Sequence, residues 1–145
     1  MKSAFAVAVL LTLAVVSHPM PVWGADAASD SEQVKRQAVL IPNLQQAAAG
    51  AGGYDSSSIK VKSTAHQVTI EVINSKLNTA SAADRNAEAS AIASAIGKAI
   101  GGKSEFSAVV TIHIDYVTGL GNAAKIVQGF VFNKNPDGTF KSHQS

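Results

Sequence analysis

The chain has 145 residues, of which 46% are hydrophobic and 15% charged, and its formal net charge at pH 7 is +2 with histidine neutral. The absence of cysteine excludes disulfides, thiol catalysis and thiolate metal ligands. The weak, scattered positive charge argues against a nucleic-acid partner, and the length suits one ordinary domain.

The N-terminus has the organisation of a secretory signal peptide. Met1 and Lys2 precede an uncharged apolar run, "SAFAVAVLLTLAVV", which is too short to act as a stable membrane anchor. Small residues further on supply a cleavage site after Ala27, with cleavage after Gly24 as the alternative. We therefore predict a signal peptide over residues 1–27 and an exported chain, periplasmic or secreted, without a stable membrane anchor after cleavage.

Residues 28–54 form an N-terminal segment that begins polar and ends in small residues. Proline is tolerated in the first turn of a helix, which predicts a short helix from about Pro42 to Ala49, preceded by a looser turn from Glu32. The segment is either a partner-binding tail or a mobile N-terminus leading into a packed helix, and we favour the second interpretation. The remaining residues, 55–145, are expected to complete a single domain packed with this helix.

Two strands follow the N-terminal segment. Apolar and polar residues alternate from Ile59 to Lys62 and again from Val68 to Ile73, which is the period of a half-buried strand. Because the connection between them is short and polar, we predict an antiparallel hairpin with His66 in or beside its turn.

A long helix is predicted after this hairpin. Ser81 and Asp84 resemble a capping box, and Gly101 and Gly102 suit a helix end, so the helix should run from about Ala82 to Ile100. Its apolar stripe consists of Ile92, Ile96 and Ile100, with Ala89, Ala93 and Ala99 beside them. The small alanines indicate close packing against a sheet.

Two further strands, "SAVVTIHIDYV" and "AKIVQGFVFNK", surround a glycine-containing loop and predict a second hairpin. The "NPDGTF" stretch beyond them predicts a turn, followed by a short edge strand or a frayed end. The side chains expected to face the core are Val110, Ile112, Ile114, Tyr116, Phe130 and Phe132.

The element order α-β-β-α-β-β predicts an α+β fold. We expect a two-layer sandwich, with a four-stranded, mostly antiparallel sheet and two helices on one face. The sequence does not indicate the strand order. Because one face of each strand is richly apolar, the helices should cover that face and leave the other to solvent or to a partner.

The uncovered face of this sheet, called here the open face, is the candidate functional surface. His113 and Asp115 lie two positions apart on one strand, so their side chains point the same way at about 7 Å. Such a pair could hold a metal or act as an acid and base if His66 or Glu71 approached. Polar residues must occupy the solvent side of any half-buried strand, so we predict no metal, cofactor or catalytic site. The open-face residues predicted to contact a partner are Glu71, Ile73, Thr111, His113, Asp115, Val117, Val127 and Val131.

The combination of a short signal peptide, no cysteine, "VTIEVINSKLN" before an alanine-rich helix and two terminal strands resembles the small uncharacterised exported proteins of Gram-negative bacteria. The resemblance covers the chain from about Val68 to the C-terminus. It implies a location in the cell envelope or outside the cell, and it implies no activity and no functional residues.

We therefore predict a small non-enzymatic interaction module of the periplasm or cell exterior, whose partner is a second copy or an envelope protein. Two alternatives stay open: a ligand- or metal-binding domain that uses the open face, and a hydrolase-like enzyme. An enzyme would need a deep pocket with at least two converging titratable groups, and the chain has no G-x-S-x-G motif. In a competing arrangement, the N-terminal segment folds across the open face and buries it.

Overall fold

The computed structural model describes the backbone of residues 23–142 and the side chains of residues 29–142. The predicted signal peptide over residues 1–27 therefore lies almost entirely outside the described part of the chain. The helices and strands, in chain order, are α1 (Trp23–Ala38), α2 (Ile41–Gly52), β1 (Ile59–Ser63), β2 (Gln67–Ile73), α3 (Ala82–Ile100), β3 (Thr111–Thr118), β4 (Lys125–Lys134) and β5 (Phe140–Ser142).

The predicted α+β class is confirmed, but the predicted counts of four strands and two helices are wrong. The described residues form three helices and a five-stranded mixed sheet in the order β1-β2-β3-β4-β5. Both predicted antiparallel hairpins are present, and β2 pairs in parallel with β3 through the crossover helix α3. The fifth strand follows a turn at Gly138, whose φ of 83° suits glycine, and it pairs with Phe132–Lys134.

The additional helix is α1, where only a loose turn from Glu32 was expected. Its Gln37 side chain is fully buried and donates a hydrogen bond to the Glu105 carbonyl at 2.9 Å, and Gln33 donates to the same carbonyl at 3.2 Å. These long-range bonds hold the helix against the short 3₁₀ turn at Ser104–Phe106. A polar helix stabilised in this way shows little apolar periodicity in its sequence.

The competing arrangement of the N-terminal segment does not fit the described part of α1. Asp30 approaches the imidazole of His66 in the β1–β2 turn at 3.8 Å, and Gln33 also donates to the Ala65 carbonyl at 3.4 Å. These contacts lie at one end of the sheet and leave Val131 of the open face 45% exposed. Residues 29–38 therefore do not cover the open face.

The core lies between the sheet and the helices α2 and α3. Helix α3 has the predicted bounds, and the Ser81 hydroxyl accepts a hydrogen bond from the Asp84 N–H at 3.1 Å, which satisfies a free donor of the first turn. The predicted isoleucine stripe of α3 is buried against the sheet. Helix α2 adds Leu44 and Ala48, and Gly53, directly after its last residue, caps it in a left-handed conformation.

The prediction that Val110 faces the core is wrong. Its side chain is 53% exposed, while the preceding Val109 is fully buried. Val110 precedes β3, and its backbone pairs with the segments on both sides: its N–H donates to the His66 carbonyl, and its carbonyl accepts from the Lys134 N–H. The alternation of β3 begins after this junction, so Ile112, the first apolar residue of the strand, returns to the core.

Candidate functional site

Side chains on the open face form three rows that run across the strands. Most of the predicted open-face residues lie in these rows. The pairing of β1, β2, β3 and β4 brings their side chains together. The first row is Lys60, Glu71, Asp115 and Gly129; the second is Lys62, Thr69, His113 and Val131; the third is Ile73, Val117 and Ile126.

Two carboxylates lie directly opposite each other in the first row. Like charges in such a pair are destabilising, but the Lys62 ammonium contacts the Glu71 carboxylate and partly neutralises it. The Asp115 carboxylate leans over Gly129, where an added Cβ would lie 2.6 Å from its Oδ1 atom. Burial, and to a smaller extent the Glu71 charge, raise the pKa of Asp115 above 3.8, although His113 and Lys62 oppose the shift.

A metal site does not form from these groups. Besides His113 and Asp115, a metal site needs a third ligand, from Glu71 or His66. Glu71 lies opposite Asp115, but His66 lies in the β1–β2 turn and contacts the Ala108 carbonyl at 3.2 Å. Across the strands, His113 faces Thr69 and Val131. Over residues 29–142, no three histidine or carboxylate side chains are arranged to hold a metal ion.

A β-bulge in β4 changes which residues share the open face. Tyr116 pairs with Gln128 and Val117 pairs with Ile126, so Val127 is an extra residue without a partner in β3. The bulge therefore places Ile126, which the sequence did not indicate, opposite Val117 on the open face. Val117 itself is only 5% exposed, unlike the solvent-facing residue that was expected.

The loop between β3 and β4 borders this end of the open face. In the described part of the chain, Asn74 is the one non-glycine residue with a positive φ, 51°, a conformation that asparagine tolerates. Its side chain accepts a hydrogen bond from Gly119 N–H at 2.9 Å, and its backbone N–H donates to the Val117 carbonyl at 2.7 Å. Gly119 has a φ of 82°, and a Cβ there would lie 2.9 Å from the Ala123 carbonyl oxygen. These contacts give the loop a defined conformation.

A cavity of about 430 Å³ opens between this loop and the open face. It has an aliphatic part and a charged part. The Lys62 ammonium contacts Glu71, whereas Lys60 has no carboxylate at ion-pairing distance within residues 29–142. The aliphatic side chains that line the cavity are Ile73, Val117, Leu120 and Ile126, and the charged ones are Lys60, Lys62 and Glu71.

A second polar cluster lies on the helix side of the sheet and was not predicted. The Tyr54 and Tyr116 hydroxyls both donate to Glu88 Oε1, at 2.8 and 3.0 Å, and Tyr54 also bonds with the Ser75 hydroxyl. Burial raises the pKa of Tyr54 to about 12, with Ser75 opposing the shift and Glu88 adding to it. Burial and Glu88 likewise raise the pKa of Tyr116. Both phenols therefore stay protonated and join α3 to its neighbours as hydrogen-bond donors.

The sequence signal for this cluster was weak. Tyr116 alternates with the core residues of β3, and a buried phenol needs a hydrogen-bond partner, so a polar group was to be expected near it. The identity of the hydrogen-bond partner of Tyr116 depends on how α3 packs over the sheet. None of the residues of this cluster lines the cavity beside the β3–β4 loop, which separates the cluster from any small molecule bound there.

Another cavity, also of about 430 Å³, lies between the C-terminal end of α3 and β5. Ile100, Phe106 and Phe140 provide its apolar surface, and Lys103 and Lys134 are its charged residues. Among residues 29–142, the lining includes no carboxylate and no histidine, so this part of the chain supplies no acid–base pair there of the kind that the hydrolase alternative requires.

Comparison with known proteins gives no assignment. No protein-family model, curated protein or solved structure matches the chain. Across residues 23–142, none of the helices combines the length and apolar character of a membrane-spanning segment.

Proposed function

We propose that this protein is a non-enzymatic interaction module of the periplasm or cell exterior, and that its open face and strand β4 bind a second copy of the chain. The observation that carries the proposal is the exposure of large aliphatic side chains on the open face and on the loop that borders it. Leu120, Ile126 and Val131 are 69%, 65% and 45% exposed. Apolar residues grouped beside charged ones are typical of protein contact surfaces. The exported location rests on the signal-peptide pattern of the sequence.

The free edge of β4 supports a strand-pairing mode of binding. Strand β5 pairs with Phe132–Lys134, so within the described residues no strand pairs with that side of Lys125–Val131. Unpaired N–H and C=O groups at such an edge can bind another strand. The bulge at Val127 limits the regular part of this edge to Gln128–Val131.

A second copy is the partner that the charges favour. Residues 128–131 are uncharged, so an antiparallel pairing of two such edges would place no like charges opposite each other. The net charge of +2 adds little repulsion between two copies. Twofold association through one shared surface is also the commonest form of homo-oligomer.

The test is the substitution Val131→Lys, compared with Val39→Lys as a matched control. Val39 is 79% exposed and lies between α1 and α2, away from the open face. We expect the wild-type protein to dimerise in analytical ultracentrifugation, and Val131→Lys to weaken the dimer by at least about tenfold because burying an unpaired charge is costly. Val39→Lys should leave the dimer unchanged. At concentrations where the wild type is monomeric, both variants should keep their free energy of unfolding to within about 0.5 kcal/mol.

Other outcomes distinguish the remaining interpretations. If the wild type is a monomer at all concentrations, the partner is not a second copy. The interaction proposal then requires that the wild type and Val39→Lys capture one specific protein from envelope extract and that Val131→Lys does not. If Val131→Lys unfolds the protein, the Val131 side chain belongs to a core and not to a free contact surface, which contradicts the proposal. A variant that keeps every association also contradicts the proposal.

A further inference from the structure

We infer that the cavity beneath the β3–β4 loop is a binding site for a small aliphatic carboxylate. This inference goes beyond the proposed function, because the site uses one end of the open face and does not require a protein partner. The cavity volume of about 430 Å³ falls within the range of roughly 300 to 1,000 Å³ that is usual for small-molecule sites.

The aliphatic part of the cavity fits the hydrocarbon tail of such a ligand. Ile73, Val117 and Ile126 form one row on the sheet, and Leu120 contributes from the loop. Leu120 and Ile126 are largely exposed to solvent, so a bound tail would remove their apolar surface from water. A ligand without an aliphatic part would not use this wall.

The charged part of the cavity selects the head group. Two lysines and one glutamate line it, and Lys62 is already paired with Glu71. One cation, Lys60, is left without an acidic partner in the described part of the chain. Two ammonium groups and one carboxylate leave the lining with one positive charge in excess, which matches a monoanion such as a carboxylate, and Lys60 can bind it through a charge-assisted hydrogen bond. The same charge repels a cationic head group.

The loop wall of the cavity is held by contacts within the protein itself. Asn74 binds Gly119 through its side chain, and Asn78 donates to the Val117 carbonyl at 3.1 Å. A wall fixed by such bonds does not have to be ordered when the ligand arrives, which favours affinity for a small molecule.

The experiment is a titration of the purified protein with octanoate, followed by the backbone amide signals in ¹H–¹⁵N spectra. We expect saturable shifts at Gly119 and Gly121, which line the cavity. Octanol and octylamine test the head group, and acetate tests the tail. Each of the three should bind at least about tenfold more weakly than octanoate, because each lacks either the charge-assisted bond or the apolar contact.

Two variants with the same charge change locate the site. Lys60→Glu should weaken octanoate binding by at least about tenfold, whereas Lys103→Glu, in the cavity near β5, should leave it unchanged. Leu120→Ser should also weaken binding, and because Leu120 is an exposed loop residue, this change tests the apolar wall without disturbing the core.

Several results would overturn the inference: no saturable shifts with octanoate, equal affinity for octanol, or equal losses in Lys60→Glu and Lys103→Glu. Shifts confined to residues around Phe140 would place the ligand in the other cavity and also reject it. Val131→Lys should still bind octanoate, so failure of the dimer proposal and failure of this inference are separate results.

Discussion

Replacement of Ile96 by alanine tests the packing of α3 on the sheet. The Ile96 side chain is fully buried, between Ile92 and Ile100 on the same stripe. The substitution removes three carbon atoms, which are worth about 0.8 kcal/mol each on transfer from water, and it adds a cavity term. The better helix propensity of alanine returns less than about 0.7 kcal/mol. We therefore expect Ile96→Ala to lower the free energy of unfolding by roughly 2 to 4 kcal/mol.

The assay is urea denaturation followed by far-ultraviolet circular dichroism. Ser94→Ala, at an exposed position of the same helix, is the control and should change the free energy of unfolding by less than about 0.5 kcal/mol. The dependence of this free energy on urea concentration should be similar in both variants and the wild type, because the surface exposed on unfolding hardly changes. A loss in Ile96→Ala below about 0.5 kcal/mol would refute the assignment of the stripe to the core.

Two further predictions concern a carboxylate and a helix cap. The fold raises the pKa of Asp115 above 3.8, so the free energy of unfolding falls as the pH rises through that pKa and the carboxyl ionises. Asp115→Asn should therefore raise the free energy of unfolding at neutral pH, and an equal gain below pH 3.8 in denaturant titrations would contradict this cause. Ser81→Ala removes the acceptor for Asp84 N–H and should cost about 1 kcal/mol in thermal unfolding, whereas Ser81→Gly should cost only a few tenths; equal losses would exclude a cap effect.

Local patterns in the sequence predicted the parts of the fold that depend on neighbouring residues. The alternation around Ile70 and Ile114 identified the core side of β2 and β3, and both residues are fully buried. The bounds of α3 followed from Ser81 at one end and Gly101 at the other. In both cases, the residues that form the pattern are close in sequence to the feature they predict, whether a helix end or the buried face of a strand.

The features that the sequence did not indicate depend on contacts between distant segments. Strict alternation placed Val127 on the open face, but the bulge, which is defined only by pairing with β3, places Ile126 there. Val117 is buried at the cavity end, beside the loop held by Asn74. Helix α1 depends on its contact with Glu105. The sequence placed Glu71, His113 and Asp115 on one face of their strands, but the rows across the strands and the cavity depend on the strand order, which it did not indicate.

The parallel pairing of β2 with β3 has a consequence for how the chain folds. Each hairpin closes through a short connection, but the centre of the sheet joins residues as far apart as Val68 and Ile112. Closing so long a segment costs entropy before the contacts it permits can form, and such non-local pairing slows folding. The two hairpins can therefore form early, and their union waits for α3 to pack. Until then both β2 and β3 present unpaired edges, so the folding chain is most prone to aggregation in this interval.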